Sequence, residues 1–276
     1  MSGSNHAFAG GSPDPKSSPR MARVAFRSNR LQLLGWLALG LYTIYAASLL
    51  DLTWVRFIAG LGQGAHFLAR MFPPDFSKWD LLVRGLTESL EIAVIASASG
   101  IAIALPIGLL AARNLMPPWV SWLARGFIAL CRSFHSVIVA ILFVKAVGFG
   151  ALAGIMALTV ASIGFISKLF AEAIEEISLK QVEAVRATGA GFGNVILFGV
   201  LPQVLARFIG FGTYQLDSNL RNSTMVGIVG GGGIGATLFT AFQRFDYDFV
   251  LAILISIISL IMLGEVLAGW IRKTFQ

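Results

Sequence analysis

A polar run, YQLDSNLRNST at residues 214–224, stands inside a long apolar part of the sequence. Asp217 and Arg221 are four residues apart, so they share one face of a helix. A charge near the centre of a bilayer costs ~2.5–3.5 kcal/mol on insertion scales, so such side chains are expected to face other helices or water. Two interpretations stay open and can both hold. The pair joins helices, or Arg221 lines a path for an oxyanion with its polar neighbours Asn222, Ser223 and Thr224.

The side-chain chemistry of Arg221 suits the second interpretation. A guanidinium offers a planar fork of N–H donors that matches the oxygens of an oxyanion. A conducting path must also release its ion, and an Arg that is already partly paired with Asp217 binds weakly enough to do so.

A second polar stretch, QVEAVRATGAGFGNVILFGVLPQ at residues 181–203, separates two apolar runs. Residues 182–188 favour a short helix, which Gly189 can end by taking a positive φ. Pro202 is well placed at the start of the next helix. A partner protein that binds a short exposed helix between two membrane helices can move both of those helices. The alternative is an ordinary connecting loop with no partner.

The run GGGGIG at residues 230–235 matches the dinucleotide pattern G-x-G-x-x-G but lacks the strand and helix that this pattern needs on either side. No G-x-x-x-x-G-K-[ST] sequence occurs, so the chain is not expected to be its own ATPase. The run instead predicts a tight, flexible re-entry at the outer end of the fifth span, close to the pore. Its glycines are the candidate gate residues: Gly230, Gly231, Gly232, Gly233 and Gly235.

Residues typical of catalysis are scattered in the sequence. Glu88 and Glu91 could form a carboxylate pair, but an ion pair between Arg84 and Glu88, four residues apart on a helix, is the preferred interpretation. The three His residues lie far apart, and the single Cys131 excludes an internal disulfide. We therefore expect no catalytic residues, no metal site and no enzyme activity.

The composition places these residues in a membrane protein. Of 276 residues, 56% are hydrophobic and 13% are charged, against about 25% charged in soluble domains. The net charge of +7 does not indicate nucleic-acid binding, because the basic residues are spread over the loops between apolar runs. Positive charge in a membrane chain more often marks cytoplasmic loops.

Six apolar runs are long enough to cross a bilayer. Residues 1–30 precede them and predict a disordered basic tail in the cytoplasm. The first run is interpreted as an uncleaved span rather than a signal peptide. Residues 51–80 predict an external lateral segment with a helix on the membrane surface. The predicted spans are 31–50, 86–112, 127–147, 150–170, 203–229 and 249–271.

Basic residues predict the orientation of these spans. Fourteen Lys and Arg residues fall on the side of the N-terminus and six on the other side, with Arg221 inside a span. Cytoplasmic loops carry the excess of positive charge. Both termini, and the polar stretch at 181–203, are therefore expected in the cytoplasm.

The spacing of that stretch resembles a cytoplasmic pattern of ABC importer permeases: Glu-Ala-Ala, three residues, Gly, nine residues, Ile, one residue, Leu-Pro. The chain departs from it at Val185, where the pattern has Ala, and at Gly199, where it has Ile. The resemblance implies that the loop at about 171–202 holds a coupling helix that docks on a separate ATP-hydrolysing subunit. The docking residues that it implies are Glu183, Ala184, Arg186, Gly189, Leu201 and Pro202.

Other stretches narrow the resemblance to the permeases of phosphonate importers, over nearly the whole chain after about residue 50. They are MFPPDFSKW (71–79), LFVKAVGFG (142–150), RATGA (186–190), GVLPQV (199–204) and SNLRNSTMVGIVGGGGIG (218–235). The resemblance implies an all-α, multi-pass protein of the bacterial inner membrane with the type I ABC importer permease fold. Residues 81–276 would be its five-span core.

The same resemblance implies the partners and the substrates. A second copy of the chain, two ATPase subunits that bind ATP and Mg, and an extracytoplasmic substrate-binding protein would complete the importer, with no cofactor in this chain. The implied substrates are phosphonate, phosphite or hypophosphite. The alternatives are another small anion such as phosphate, or an ion-coupled secondary transporter. A membrane-embedded enzyme is a weaker third class.

Overall fold

Helices form all the regular structure in the residues that the computed structural model describes, which are 30–50 and 53–275. In chain order they are α1 (Arg30–Leu49), α2 (Trp54–Ala69), α3 (Trp79–Ala111), α4 (Pro118–Ser133), α5 (Ser136–Val147), α6 (Ala151–Glu175), α7 (Leu179–Ala187), α8 (Phe192–Asn194), α9 (Leu201–Val226), α10 (Ile234–Gln243) and α11 (Tyr247–Phe275). Two π-helical stretches, Val195–Val200 and Gly227–Gly231, flank α9. The expected all-α fold is confirmed.

The chain divides into two units, one ending at Gln63 and one beginning at Gly64. The first unit contains α1, which is apolar and largely exposed, and most of α2, which has no buried residue. A helix forms where the surface helix was predicted, but its place on the outer side stays a prediction. The predicted basic tail, residues 1–30, lies outside the described residues except for Arg30, which begins α1.

Five stretches within the described residues are helical, long and apolar enough to cross a membrane: Gln32–Leu49, Trp79–Ala111, Ala151–Glu175, Phe192–Gly231 and Tyr247–Trp270. They overlap five of the six predicted spans. The predicted continuous span 127–147 is wrong as a single helix, because α4 and α5 meet there at an angle of 87°. If this bent pair counts as one span, the total is six.

The bend lies at Phe134 and His135, which both have extended backbones. The His135 ring accepts a hydrogen bond from the Val137 N–H, so it caps the start of α5 and stabilises the break. The apolar run at 127–147 does not reveal the break, because hydropathy measures composition and not backbone direction.

The second unit is held together by the close approach of α3 and α6. Gly100 lies against Ser162, and Gly108 lies against Phe170, with no room for a larger side chain at either glycine. Small residues at helix crossings let backbones approach closely, which is a main source of helix association where lipid removes the hydrophobic driving force.

A buried polar network adds α9 to this pair of helices. The Asn219 amide nitrogen donates to Ser97 Oγ at 2.9 Å and to Ser162 Oγ at 2.8 Å, and the Gln215 amide nitrogen donates to Ser162 Oγ at 2.9 Å. All four side chains are almost fully buried. The network fixes the rotation of α9 about its own axis, and this rotation determines which residues of α9 are exposed.

Candidate functional site

Asp217 and Arg221 form the ion pair that their spacing predicts, with Arg221 Nη2 donating to Asp217 Oδ2. The Asp217 side chain is 11% exposed and that of Arg221 is 48% exposed. Asp217 Oδ1 is buried and has no hydrogen-bond partner within the described residues. The Arg221 guanidinium therefore lies on the exposed face of α9, and the nearly buried Asp217 carboxylate binds it on the side of the core.

The three other candidate path residues point in different directions. Asn222 is half-buried and Thr224 is half-buried, whereas Ser223 is fully buried and donates to the Leu220 carbonyl at 2.8 Å. Successive helical residues are turned by about 100°. Ser223 therefore does not share the exposed face of Arg221, and a path along α9 would be lined by only part of the predicted set.

The polar stretch after α6 folds into the short helix α7, as predicted. Val182 is buried, while Glu183, Ala184 and Arg186 are exposed. Gly189 has a φ of +78° and donates its N–H to the Arg186 carbonyl at 3.0 Å, so it ends the helix in the predicted way. The three exposed residues form one accessible face.

The two departures from the coupling pattern are neighbours in space. A Cβ at Gly199 would lie 3.4 Å from Val182 Cα and 3.7 Å from Val185 Cγ2. Val185 is larger than the Ala of the pattern, and Gly199 is smaller than the Ile. Val185 fills part of the volume that Gly199 leaves, so the two changes partly compensate and α7 still packs on the following helix.

Leu201 and Pro202 lie where a π-helical stretch gives way to α9. The Leu201 N–H donates to the Ile196 carbonyl, five residues back. Pro202 has no N–H to continue the α-helical ladder, and π-helical turns occur where such a ladder is interrupted. Pro202 is the second residue of α9, and the prediction that it stands at the start of the span is wrong, because the helical stretch begins ten residues upstream at Phe192.

The candidate gate glycines form a tight turn between α9 and α10. Gly230, Gly232 and Gly233 have φ values of +101°, +80° and +74°, which residues with a side chain rarely adopt. Gly231 lies against Gly154 of α6, and Gly235 lies against Gly227 and Thr224, where a Cβ has no room. These contacts place the turn directly on the helices of the core.

Two hydrogen bonds hold this glycine turn in place. The Gly150 N–H donates to the Gly230 carbonyl at 2.9 Å, and the Ile234 N–H donates to Ser89 Oγ at 2.8 Å. The turn is thus tied both to the start of α6 and to α3.

The expected ion pair between Arg84 and Glu88 is absent from the salt bridges of residues 53–275. Glu88 is half-buried, and its carboxylate lies over Gly232, where a Cβ would be 2.6 Å from Glu88 Oε1. Glu88 therefore lies beside the glycine turn, which the sequence alone does not place next to α3. The described residues contain no group of three or more His, Cys, Asp or Glu that could hold a metal.

A cavity of about 590 Å³ lies at the α10–α11 end of the molecule. Its lining includes Lys78, which pairs with Asp246, and Thr240, whose hydroxyl donates to the Ala236 carbonyl. Arg244 also lines it and has no ion pair within the described part of the chain. The cavity therefore offers a guanidinium to a partner that approaches this end.

A family model described as "Binding-protein-dependent transport system inner membrane component" matches residues 104–276. The phosphite transport system permease protein PtxC of Stutzerimonas stutzeri is 38% identical over 237 residues, which are 86% of each chain. The phosphate-import permease protein PhnE of Mycolicibacterium smegmatis is 38% identical over 263 residues, which are 94% of this chain and 48% of that protein. The chain thus spans about half the length of the mycobacterial relative.

A solved structure shows the same architecture. An inward-facing form of the MetNI methionine ABC transporter aligns with 73% of this chain and 99% of the matched chain, with a TM-score of 0.65 and 25% sequence identity.

Proposed function

The chain belongs to the inner membrane components of binding-protein-dependent transport systems, and from this premise we propose that it forms the membrane pathway for a phosphorus oxyanion. The proposed substrates are phosphonate, phosphite or hypophosphite. The observation that carries the substrate class is the 38% identity with a phosphite permease over 86% of both chains. The name of the mycobacterial relative makes phosphate the second candidate.

The polar face of α9 supports an anionic substrate. The half-exposed Arg221 guanidinium uses one of its N–H groups on Asp217, and its remaining donors can bind oxyanion oxygens. Because Asp217 holds part of that charge, the anion is bound loosely enough to leave again. Asn222 and Thr224, which are half-buried, border this face on either side of Arg221.

The proposed importer contains two copies of this chain and two ATPase subunits, which bind ATP and Mg. The exposed face of α7, with Glu183, Ala184 and Arg186, would be the coupling surface that each ATPase grips. Closure of the two ATPases on ATP would bring the two α7 helices together and open the outer gate at the glycine turn. Substrate selection would rest mainly with the extracytoplasmic binding protein.

That binding protein is proposed to dock at the α10–α11 end. Arg244 at the rim of the cavity suits an acidic side chain of the partner, because a guanidinium binds a carboxylate through two parallel hydrogen bonds. The orientation follows from the basic residues: the termini and α7 lie in the cytoplasm of a bacterial inner membrane, and Arg244 lies outside.

Uptake by the complete complex in liposomes tests this proposal. We expect ATP-dependent uptake of isotopically labelled phosphite, methylphosphonate, hypophosphite or phosphate in the presence of the binding protein, and no uptake of methionine. Omission of ATP should abolish transport. Uptake driven by an ion gradient without ATP would instead identify a secondary transporter, and uptake of none of these anions would exclude the substrate class.

A further inference from the structure

One Arg residue connects three helices at the end of the molecule where α7 lies. Arg125 of α4 donates through Nε to the Ala111 carbonyl at the end of α3, at 3.0 Å. It donates through Nη2 to Glu175 Oε1 at the end of α6, at 2.6 Å. Glu175 Oε1 also accepts the Arg113 N–H, at 2.8 Å. Arg125 and Glu175, with these bonds, are called the Arg125–Glu175 joint below.

Neighbouring hydrogen bonds reinforce this joint. Ser121 Oγ donates to the Ala111 carbonyl at 2.7 Å, so that this carbonyl accepts bonds from two residues of α4. The Asn114 amide donates to the Ile174 carbonyl at 2.7 Å, next to Glu175. The ends of α3 and α6 are therefore bound to each other and to α4.

The joint stands immediately before the bend that leads to α7. Residues 176–178 are not helical, and α7 begins at Leu179. On the other side of the bend, the Ser178 N–H donates to Gln203 Oε1 of α9 at 3.0 Å. A displacement of α7 thus reaches α9 through Gln203 and through apolar packing, and it reaches the end of α6, which is bonded to α3 and α4, through the bend and the joint.

A second ion pair at the same place differs in its surroundings. Arg207 of α9 pairs with Glu176, and their side chains are 53% and 64% exposed. The side chains of Arg125 and Glu175 are only 30% and 27% exposed. Exposed pairs are screened by water and contribute little, whereas the charge-assisted hydrogen bonds of the joint are sheltered. Arg207 therefore supplies a matched control.

We propose that Arg125 and Glu175 are positioning residues of the transport cycle, which fix the end of α6 to α3 and α4. A displacement of α7 by the ATPase is then passed into these helices and is not absorbed by the bend at residues 176–178. The inference rests on the proposed function, because it takes α7 as the helix that the ATPase moves.

The experiment compares variants of the complete complex in liposomes. In Arg125→Gln and in Glu175→Gln, we expect normal assembly and a ratio of imported anion to hydrolysed ATP that falls about two- to thirtyfold, the range typical of lost coupling contacts. The double variant should be little worse than either single variant, because both changes remove the shared Arg125–Glu175 ion pair. Arg207→Gln should keep the wild-type ratio.

Arg125→Lys separates a positioning role from a purely structural one. Lysine keeps the charge but lacks the rigid fork that reaches Ala111 and Glu175 together, so we expect an assembled complex with an intermediate ratio. An unchanged ratio in Arg125→Gln contradicts the proposal, and so does an equal fall in Arg207→Gln. Loss of assembly in Arg125→Lys as well as in Arg125→Gln also contradicts it, because the joint would then serve only the fold.

A second measurement does not depend on the transported anion. Cys131, the single Cys of the chain, lies in α4, so its labelling rate with a maleimide reports on the surroundings of that helix. We expect ATP to change this rate in the wild-type complex and not in Arg125→Gln. If ATP changes the rate equally in both, the joint transmits nothing. If the wild-type complex responds to ATP but imports no phosphorus oxyanion, only the proposed substrate class fails.

Discussion

At the scale of single residues, the most unusual arrangement is a carboxylate with one paired and one unpaired oxygen. Asp217 is nearly buried, and its Oδ1 has no hydrogen-bond partner within the described residues. With Leu216 and Gly264, Asp217 also lines an apolar cavity of about 190 Å³. Removal of Arg221 alone would leave a nearly buried carboxylate unpaired, and loss of one partner of a buried pair costs up to ~3–5 kcal/mol, whereas removal of both partners is better tolerated. Removal of Asp217 alone costs less, because the half-exposed Arg221 can be solvated by water. The pair therefore lets folding and transport be measured separately.

The double variant Asp217→Asn, Arg221→Gln tests whether the pair serves transport. We expect it to fold and assemble, because no uncompensated charge remains, but to transport poorly, because the guanidinium is lost. Uptake is measured per assembled complex. Asp217→Asn and Arg221→Gln alone serve as controls, and Arg221→Gln should lower the amount of assembled complex more, because it leaves the nearly buried Asp217 carboxylate unpaired. Full transport by the double variant would falsify a role for Arg221 in the anion path.

The compensation between Val185 and Gly199 gives a second prediction at this scale. Gly199→Ile restores the residue of the coupling pattern but inserts a side chain 3.4 Å from Val182 Cα. We expect a loss of about 1–3 kcal/mol, typical of overpacking, read as a lower Tm of the detergent-solubilised chain. Val185→Ala combined with Gly199→Ile should recover much of that loss. Equal Tm values for Gly199→Ile with and without Val185→Ala would show that the two positions are independent.

Sequence reasoning predicted the backbone of the candidate residues better than their surroundings. The positive φ of Gly189 and the pairing of Asp217 with Arg221 follow from local rules of spacing and side-chain type. The burial of Ser223 could have been inferred, because a residue two positions after the exposed Arg221 lies on nearly the opposite side of the helix. The contact of Glu88 with Gly232 could not, because these residues are far apart in sequence and meet only through the packing of the glycine turn on α3.

At the scale of elements, α7 and its stop residue lead to a prediction with an internal control. A β-branched residue resists positive φ, and no other atom lies within 4 Å of a Cβ at Gly189. Gly189→Val therefore acts through the backbone at the end of α7. We expect normal expression and dimerisation, loss of ATPase docking, and loss of substrate-stimulated ATP hydrolysis.

Gly191→Val is the matched control for this change. Gly191 also has free space around its Cα, but its φ of −65° is accessible to valine. We expect it to dock and hydrolyse ATP like the wild type. If Gly189→Val retains full stimulated hydrolysis, or if both variants lose it equally, then the end of α7 is not the feature that the ATPase recognises.

The helices themselves show where sequence patterns stop being informative. Five long apolar helices overlap predicted spans because lipid requires a continuous apolar, internally hydrogen-bonded segment. The break between α4 and α5 was missed because the apolar run continues across Phe134 and His135. The sequence nonetheless contains one indication of the break. Arg125 and Arg132 stand among the apolar residues of α4, a mixture typical of a helix at the surface of a membrane.

At the scale of the whole molecule, one hydrogen bond and one chain connection decide how the bent pair counts. The Arg113 N–H, just after α3, is bonded to Glu175 at the end of α6. Gly150, just after α5, directly precedes the start of α6. The chain therefore enters α4 at one end of α6 and leaves α5 at the other, a distance of about 37 Å for 25 residues. Together α4 and α5 make one crossing.

The resulting total of six crossings, with α1 as the first, predicts the same side for both termini. The excess of Lys and Arg, fourteen against six, places that side in the cytoplasm. Reporter fusions after Trp54, Met116, Phe149 and Lys180 should be outside, inside, outside and inside. Trp54 and Lys180 on the same side would contradict the six crossings. If Met116 and Phe149 then also share a side, the bent pair is the segment that does not cross, because every later fusion is moved to the opposite side. If Met116 and Phe149 lie on opposite sides, the missing crossing is that of α3 or α6.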